Sequence, residues 1–297
     1  MNQYMNIIYI EDKKYPKLLK KIGKEAPKKL YYKGNWSFDT AQGKDDIFKN
    51  CLAVVGSRQM TSYGKRAVEQ IVTEVAASGI TIVSGFMYGV DATAHAAALS
   101  VANGRTVAVM PCGIDLIHPE YQQDLYAEIL NNNGLIISEY EGTMQPANWT
   151  YPKRNRIVAG LAKACLIIEA GEKSGSLITA NFAKKYKRKV FVVPGQIFSE
   201  NSKGIMELLR QGATPISSAK DILDYYKIKS QIANFKSQIS SNSQIEQKII
   251  ERLRRESLEI DALARIFEMP VSKLGVTLSM MQLQGLIQQD GPKYYIN

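Results

Sequence analysis

A chain of 297 residues, 45% of them hydrophobic, is long enough for two or three domains with cores of their own, which excludes a disordered polyelectrolyte. Its net charge of +10 favours a polyanionic partner, either a nucleic acid or an anionic membrane surface. No apolar run approaches the roughly 18 residues of a membrane span, and the opening MNQYMNIIYIEDKKYPKLL lacks the apolar stretch and cleavage site of a secretion signal, so a cytoplasmic, non-membrane protein is expected.

The Lys-rich stretch 1–50, with its YPKLLKKIGKEAPKKLYYKGN, reads as a small lead-in domain or arm. From residue 51 a regular alternation begins. The run CLAVVG is followed by a helical stretch near Tyr63–Ser78, then ITIVSG, then GVDATAHAAALSVANG, then RTVAVMPCG. It continues through a helix near Tyr121–Leu130, LIISE, a helix near Asn155–Ala162, CLIIEA, a helix near Gly175–Tyr186, and KVFVVPG. Short continuous apolar runs separated by helices predict a buried parallel sheet over 51–226. Residues 227–244, rich in Ser, Gln, Asn and Lys, read as a linker. Beyond it, 245–297 predicts three short helices and a hairpin around Asp290–Gly291, the pattern of a winged helix.

In an open parallel sheet, ligands collect at the carboxyl ends of the strands, so the loops there are the ones to read. VVGSRQMTSYG offers Gly56 for close approach, the hydroxyl of Ser57 and the bidentate fork of Arg58. SGFMYGVDATAH leads from Ser84, Gly85 and Gly89 into a helix start that reads either as a phosphate cradle or as a tight turn capped by Asp91. EYEGTMQPANWTYPKRNRIVAG interleaves Trp149 and Tyr151 with Lys153, Arg154 and Arg156, which suits single-stranded DNA because bases stack on rings while cations meet phosphates. The bland alternative has the rings packing the loop down and the cations solvated. AGEKSGSLITA places Lys173, Ser174 and Ser176 at a further helix start, as an anion nest or a simple cap. The run KKYKRK, Lys184 to Lys189, reads as a solvated helix end.

Cys51, Cys112 and Cys165 are widely spaced and read as reduced core residues, and His95 and His118 are the two imidazoles, so neither a metal nor a cofactor is expected. Asp91 and His95 stand at i and i+4, the spacing of an oriented base, without an evident nucleophile. Glu139 and Glu169, at strand ends, are expected to pair with arginines or hold loops.

In order, GSR, SGxxxGVDxxAH, PxG, YPKRNRIVAG, EAGxxSGSLITAxxA and VPG resemble the DprA/Smf family of DNA-processing proteins over residues 51–213, and YPKLL with LYYKGN extends the likeness. The chain departs from that family's usual pattern at Met87, His118 and Met206. The resemblance implies an α/β, extended Rossmann-like fold followed by a small winged-helix-like domain. It further implies single-stranded DNA binding without catalysis, a homodimer, and a part in loading the RecA recombinase during transformation or recombination. Carried over by motif, the binding residues are Arg58, Ser84, Gly85, Lys153, Arg154, Asn155 and Arg156, with Ser174 and Ser176 behind them. Two alternatives stand beside this reading. One is a Rossmann-like nucleotide or phosphoribohydrolase, although Thr179 stands where that family's catalytic Glu would be. The other is a duplex-binding regulator using the C-terminal module, whose candidate recognition helix VSKLGVTLSMMQLQGL offers one cation, Lys273, among exposed-looking Met and Gln residues.

Overall fold

The computed structural model describes residues 6–40, 43–229, 244–283 and 285–296, and the chain divides into two compact units, 1–232 and 233–297. In the first unit β5 (Cys51–Val55), β6 (Thr81–Ser84), β7 (Thr106–Gly113), β8 (Leu135–Tyr140), β9 (Ala164–Ile167), β10 (Lys189–Val192) and β11 (Thr214–Pro215) are mutually parallel. Their spatial order is β8-β7-β6-β5-β9-β10-β11. The chain therefore winds outward from β5 in one direction, returns, and winds outward from β9 in the other. That reversal between β5 and β9 is the switch point at which such sheets open a crevice.

The short apolar runs are strands because both sheet faces are covered: every residue of β5, β6, β7 and β9 is buried. One face packs against α2 (Ser62–Ala77), α3 (Val90–Leu99) and α8 (Ala219–Tyr226), with Val68, Val72, Ala94 and Ile222 among the buried contacts. The other packs against α1 (Lys17–Lys20), α5 (Thr150–Leu161), α6 (Gly175–Lys185) and α7 (Lys203–Arg210), through Leu19, Ile157, Ala180 and Leu208. At the β8 edge, Tyr31, Phe86, Met110 and Tyr126 form a third cluster with α4 (Gln123–Asn131). Among the described residues no helix is long and apolar enough to cross a membrane.

The lead-in stretch, read from sequence as a small domain or arm, contributes strands to the large sheet. Its β1 (Asn6–Tyr9) and β2 (Lys29–Gly34) pair antiparallel and extend the large sheet beyond β8, with Tyr31 opposite Ser138. A hairpin of β3 (Ser37–Thr40) and β4 (Gly43–Asp46) follows. Their apolar content is short, Ile8 in β1 and the adjacent Leu30 and Tyr31 in β2, which enter the core on the two faces of the sheet. The linker expected at 227–244 lies largely outside the described residues.

In the second unit α9 (Gln244–Leu253), α10 (Ile260–Ile266) and α11 (Val271–Leu283) surround a core of Ile249, Leu263, Leu274 and Leu278. A small sheet of β12 (Leu258–Glu259), β13 (Gln288–Asp290) and β14 (Lys293–Tyr295) completes the winged helix, with Gly291 at φ +57° in the hairpin. Met281, expected at the surface, is fully buried in this core, whereas Val271 and Val276 of α11 are exposed.

The spacing of Asp91 and His95 makes no catalytic pair. His95 is fully buried and its Nδ1 lies 2.6 Å from Thr106 Oγ1, whose own hydrogen goes to the Ile82 carbonyl at 3.0 Å, so His95 Nδ1 is the donor. Burial pushes the His95 imidazole from 6.5 down to about 3. Between those values the unfolded chain binds a proton that the folded chain refuses, so stability rises with pH and is lost as pH falls. Between pH 7 and pH 5 this one group withdraws about 2 kcal/mol. Asp91, raised by burial, acts with the opposite sign but equally in a variant. Urea unfolding of the native protein and His95→Gln at both pH values should show the variant losing about 2 kcal/mol less on acidification, and equal losses would refute the assignment.

Candidate nucleic-acid interface

Four segments meet at the switch point. The loop after β5 (Gly56 to Gln59), the loop after β6, the start of α5 and the loop from β9 into α6 enclose a cavity of about 600 Å³. The first two are locked backbone to backbone: Val90 N–H donates to the Ser57 carbonyl at 3.2 Å. Gly89 sits at φ +77°, and a Cβ there would lie 2.5 Å from the Ser57 oxygen and 2.6 Å from that of Arg58. A Cβ at Gly56 would lie 2.7 Å from Val90 Cγ2. Glycine at both positions serves close approach of the two loops, and this seats Arg58.

Arg58 is exposed at the mouth, its guanidinium 5.6 Å from the Tyr88 ring centroid and 5.4 Å from that of Tyr151. These contacts restrict a long flexible side chain without consuming its hydrogen-bond donors. Tyr151 is in turn held by His118, whose Nε2 lies 2.8 Å from the tyrosine hydroxyl. Burial and the Arg58 charge hold the His118 imidazole below its ordinary value. Lys173 lines the same cavity from the β9 loop and is exposed.

The floor is Arg154. It is 4% exposed, donates through Nη1 to the Val109 carbonyl at 2.6 Å, and leaves Nε without a partner. Gly85 exists to admit it, since a Cβ there would lie 2.0 Å from Nη1. Gly85 is thus no phosphate cradle. Ser84 is likewise fully buried, its hydroxyl given to the Val54 carbonyl at 2.6 Å, and it does not line the cavity. Asp91 is the one carboxylate in the lining: burial raises its carboxyl and the Arg154 charge pulls it back.

Helix α5 begins at Thr150, five residues before its expected start, and this re-sorts its cations. Pro152, which reads as a breaker, falls in the first turn, where its missing N–H costs nothing. At 100° per residue, Arg154 and Arg156 point to opposite sides of the helix, while Lys153 and Arg156 share one. Arg156 is 8% exposed and bonded to Glu139 at 2.6 Å and to the Lys153 carbonyl at 3.0 Å. Lys153 lies 3.6 Å from Glu139, between the rings of Tyr140 and Trp149. Neither Lys153 nor Arg156 lines the cavity; they belong to an outward cluster around Glu139. Glu139 pairs with arginine as expected, and Glu169 holds a loop, accepting from Thr61 N at 2.9 Å and Thr61 Oγ1 at 2.5 Å.

The third side combines both readings of its serines. Ser174 caps α6, accepting from Ser176 N at 3.3 Å with the two hydroxyls 2.8 Å apart, and both residues line the cavity. Asn155 faces the cavity too, donating to the Gly175 carbonyl at 3.3 Å. Thr179, 1% exposed, occupies the wall. Tyr88 escaped sequence reasoning, although it is one of two aromatics, with Phe86, between Gly85 and Gly89; Gln59 and Asn201 carried no signal.

Comparison with known proteins gives a consistent answer. The family model for DNA recombination-mediator protein A matches residues 6–227, and the DprA winged helix domain matches 235–291. Protein Smf of Synechocystis is 40% identical over 213 residues, 72% of this chain, which spans about half (52%) of that relative's length. The DNA processing protein DprA of Bacillus subtilis is 37% identical, covering 75% of this chain and 71% of its own. Among solved structures, the DprA of Streptococcus pneumoniae superposes with a TM-score of 0.67 at 37% identity, covering 75% of this chain and 74% of that one. The DNA processing protein A of Helicobacter pylori, described for its single-stranded DNA binding mode, gives 0.63 at 30% identity, covering 76% and 98%. With its Rossmann-like unit and winged helix both matched in chain order, this chain belongs to the DNA recombination-mediator protein A family.

Proposed function

We propose that the chain binds single-stranded DNA at the switch-point cavity, without catalysis and without marked sequence preference. The observation that carries this reading is Arg58, exposed over two tyrosine rings at the mouth of a cavity whose floor is the buried cation Arg154. Arg58 is exposed and makes no ion pair among the described residues, which leaves its guanidinium donors available to a phosphate. A single strand bends and can send a nucleotide toward a recessed cation, which the stiff outer surface of a duplex cannot reach. Phosphate contacts carry no sequence information, hence the weak preference.

Against a hydrolase stand the geometry of His95, sealed in the core, and Thr179 in the wall. Against duplex recognition by the winged helix stands α11, with the single cation Lys273 and the exposed Val271 and Val276. Family membership supports the remaining parts of the reading: action in the cytoplasm as a homodimer, with RecA recombinase as partner, in DNA processing during transformation or recombination.

Two measurements test this. Fluorescence anisotropy with matched single-stranded and duplex oligonucleotides over a salt series should show preference for the single strand, log affinity falling linearly with log salt by about 0.7 per neutralised phosphate. Equal or absent binding, or a flat salt response, refutes the reading. Second, Arg58→Ala should weaken binding about tenfold or more while shifting stability by under about 0.5 kcal/mol. Arg156→Ala should do the reverse, costing about 1–3 kcal/mol of stability because Glu139 loses its 2.6 Å partner and keeps only the more distant Lys153. Intact binding by a folded Arg58→Ala protein would remove the cavity from the function.

A further inference from the structure

The opposite edge of the same sheet carries a second basic concavity. Lys163 and Arg188 immediately precede the adjacent strands β9 and β10, at their amino ends, and line a hollow of about 330 Å³ with Lys187, Lys227, Tyr225 and Tyr226. Among the described residues no carboxylate lines it. Two members come from the run Lys184 to Lys189, which by sequence is a solvated helix end. The aromatic side is rigid: Tyr226 donates its hydroxyl to the Cys51 carbonyl at 2.5 Å, and the half-exposed Tyr225 packs edge-on against Phe191 and Tyr226, each at 5.6 Å. Lys163 lies over Tyr226 at 5.8 Å and donates to Asn50 Oδ1 at 2.5 Å, and Arg188 donates through Nη2 to the Leu18 carbonyl at 2.9 Å, its buried Nε having no partner among the described residues.

The backbone supplies an independent observation. Helices α2, α4 and α7 end on a left-handed residue, Gly79 at φ +84°, Asn133 at +58° and Gly212 at +89°, the residue types that tolerate this conformation. Helices α6 and α8 end in the same way, but on Lys187 at φ +57° and Lys227 at φ +58°. At each, the lysine N–H bonds back to Lys184 or Asp224, and the next N–H, of Arg188 or Ile228, to Ala183 or Leu223. A cation near a helix C-terminus is favoured by the dipole anywhere in the last turn. That does not explain lysine at the one position where a side chain is strained. Both strained lysines line the same hollow.

We propose that this concavity is a second phosphate-binding site for single-stranded nucleic acid, with the exposed Lys187 and Lys227 meeting the backbone, Lys163 and Arg188 adding positive charge to the wall, and Tyr225 offering a face for a base. The proposal rests on the reading of the first cavity and extends it: one strand, or two, engages both ends of the four-residue strands β9 and β10, about 13 Å long.

The test is Lys187→Gly with Lys227→Gly, which removes two charges while relieving backbone strain. The double variant should melt at or above the native temperature. With an oligonucleotide of about 30 nucleotides its salt slope should be shallower by about 1.4, two phosphate contacts at 0.7 each. With one of about 6 nucleotides, filling one site, affinity should hold within about twofold, and Arg58→Ala should weaken that binding about tenfold or more. Replacing Lys13 and Lys14 by serine, an equal charge loss in an exposed turn, should leave both slopes unchanged. If the native protein binds the long strand and the double glycine variant keeps its slope, or the control shifts it equally, the second site is overturned and the first stands. If the native protein binds neither oligonucleotide, both readings fall.

Discussion

The buried guanidinium of Arg154 is the contact on which the rest of the site depends. From α5 it reaches across the sheet to the Val109 carbonyl of β7, rests against the backbone of Gly85 after β6, and faces Asp91 of α3. Burial works against its charge and the nearby carboxylate supports it. A charge so placed is costly unless its partners are held, which is why a glycine, a strand carbonyl and a helix carboxylate converge on it. With that contact made, the first turn of α5 is positioned, and with it Tyr151, which carries Arg58 at the mouth. The exposed binding residue is therefore oriented by one that is sealed away.

The same helix separates two kinds of basic residue that stand side by side in sequence. Arg154 points inward to the cavity floor, whereas Lys153 and Arg156 converge on Glu139 and lock α5 to the end of β8. Among the described residues, Arg58 and Lys173 are the exposed cations at the cavity itself. A basic motif thus contributes as much to holding the helix as to meeting an anion.

Seen across the sheet, basic residues gather at both ends of the strands. The carboxyl edge has the enclosed cavity built from interlocked glycine loops; the amino edge has a shallower hollow built from helix ends. Parallel topology creates both, because each crossover helix must finish beside the start of the next strand. The winged-helix unit stands apart in character, its α11 nearly free of charge.

What the sequence determined by itself is the parallel sheet, the order of its loops and the winged helix, because these follow from local patterns: continuous apolar runs, helical spacing, and an Asp-Gly hairpin. It also singled out Arg58, Arg154, Asn155, Ser174 and Ser176, all of which line the cavity. Only the tertiary structure decided which way each residue of YPKRNR points. That depends on where α5 starts, which Pro152 conceals, and on Glu139, distant in sequence, being there to claim Arg156. The roles of Ser84 and Gly85 were hidden for the same reason: a hydroxyl or a missing Cβ is read as ligand-binding until the buried group that fills the space, Val54 or Arg154, is in place.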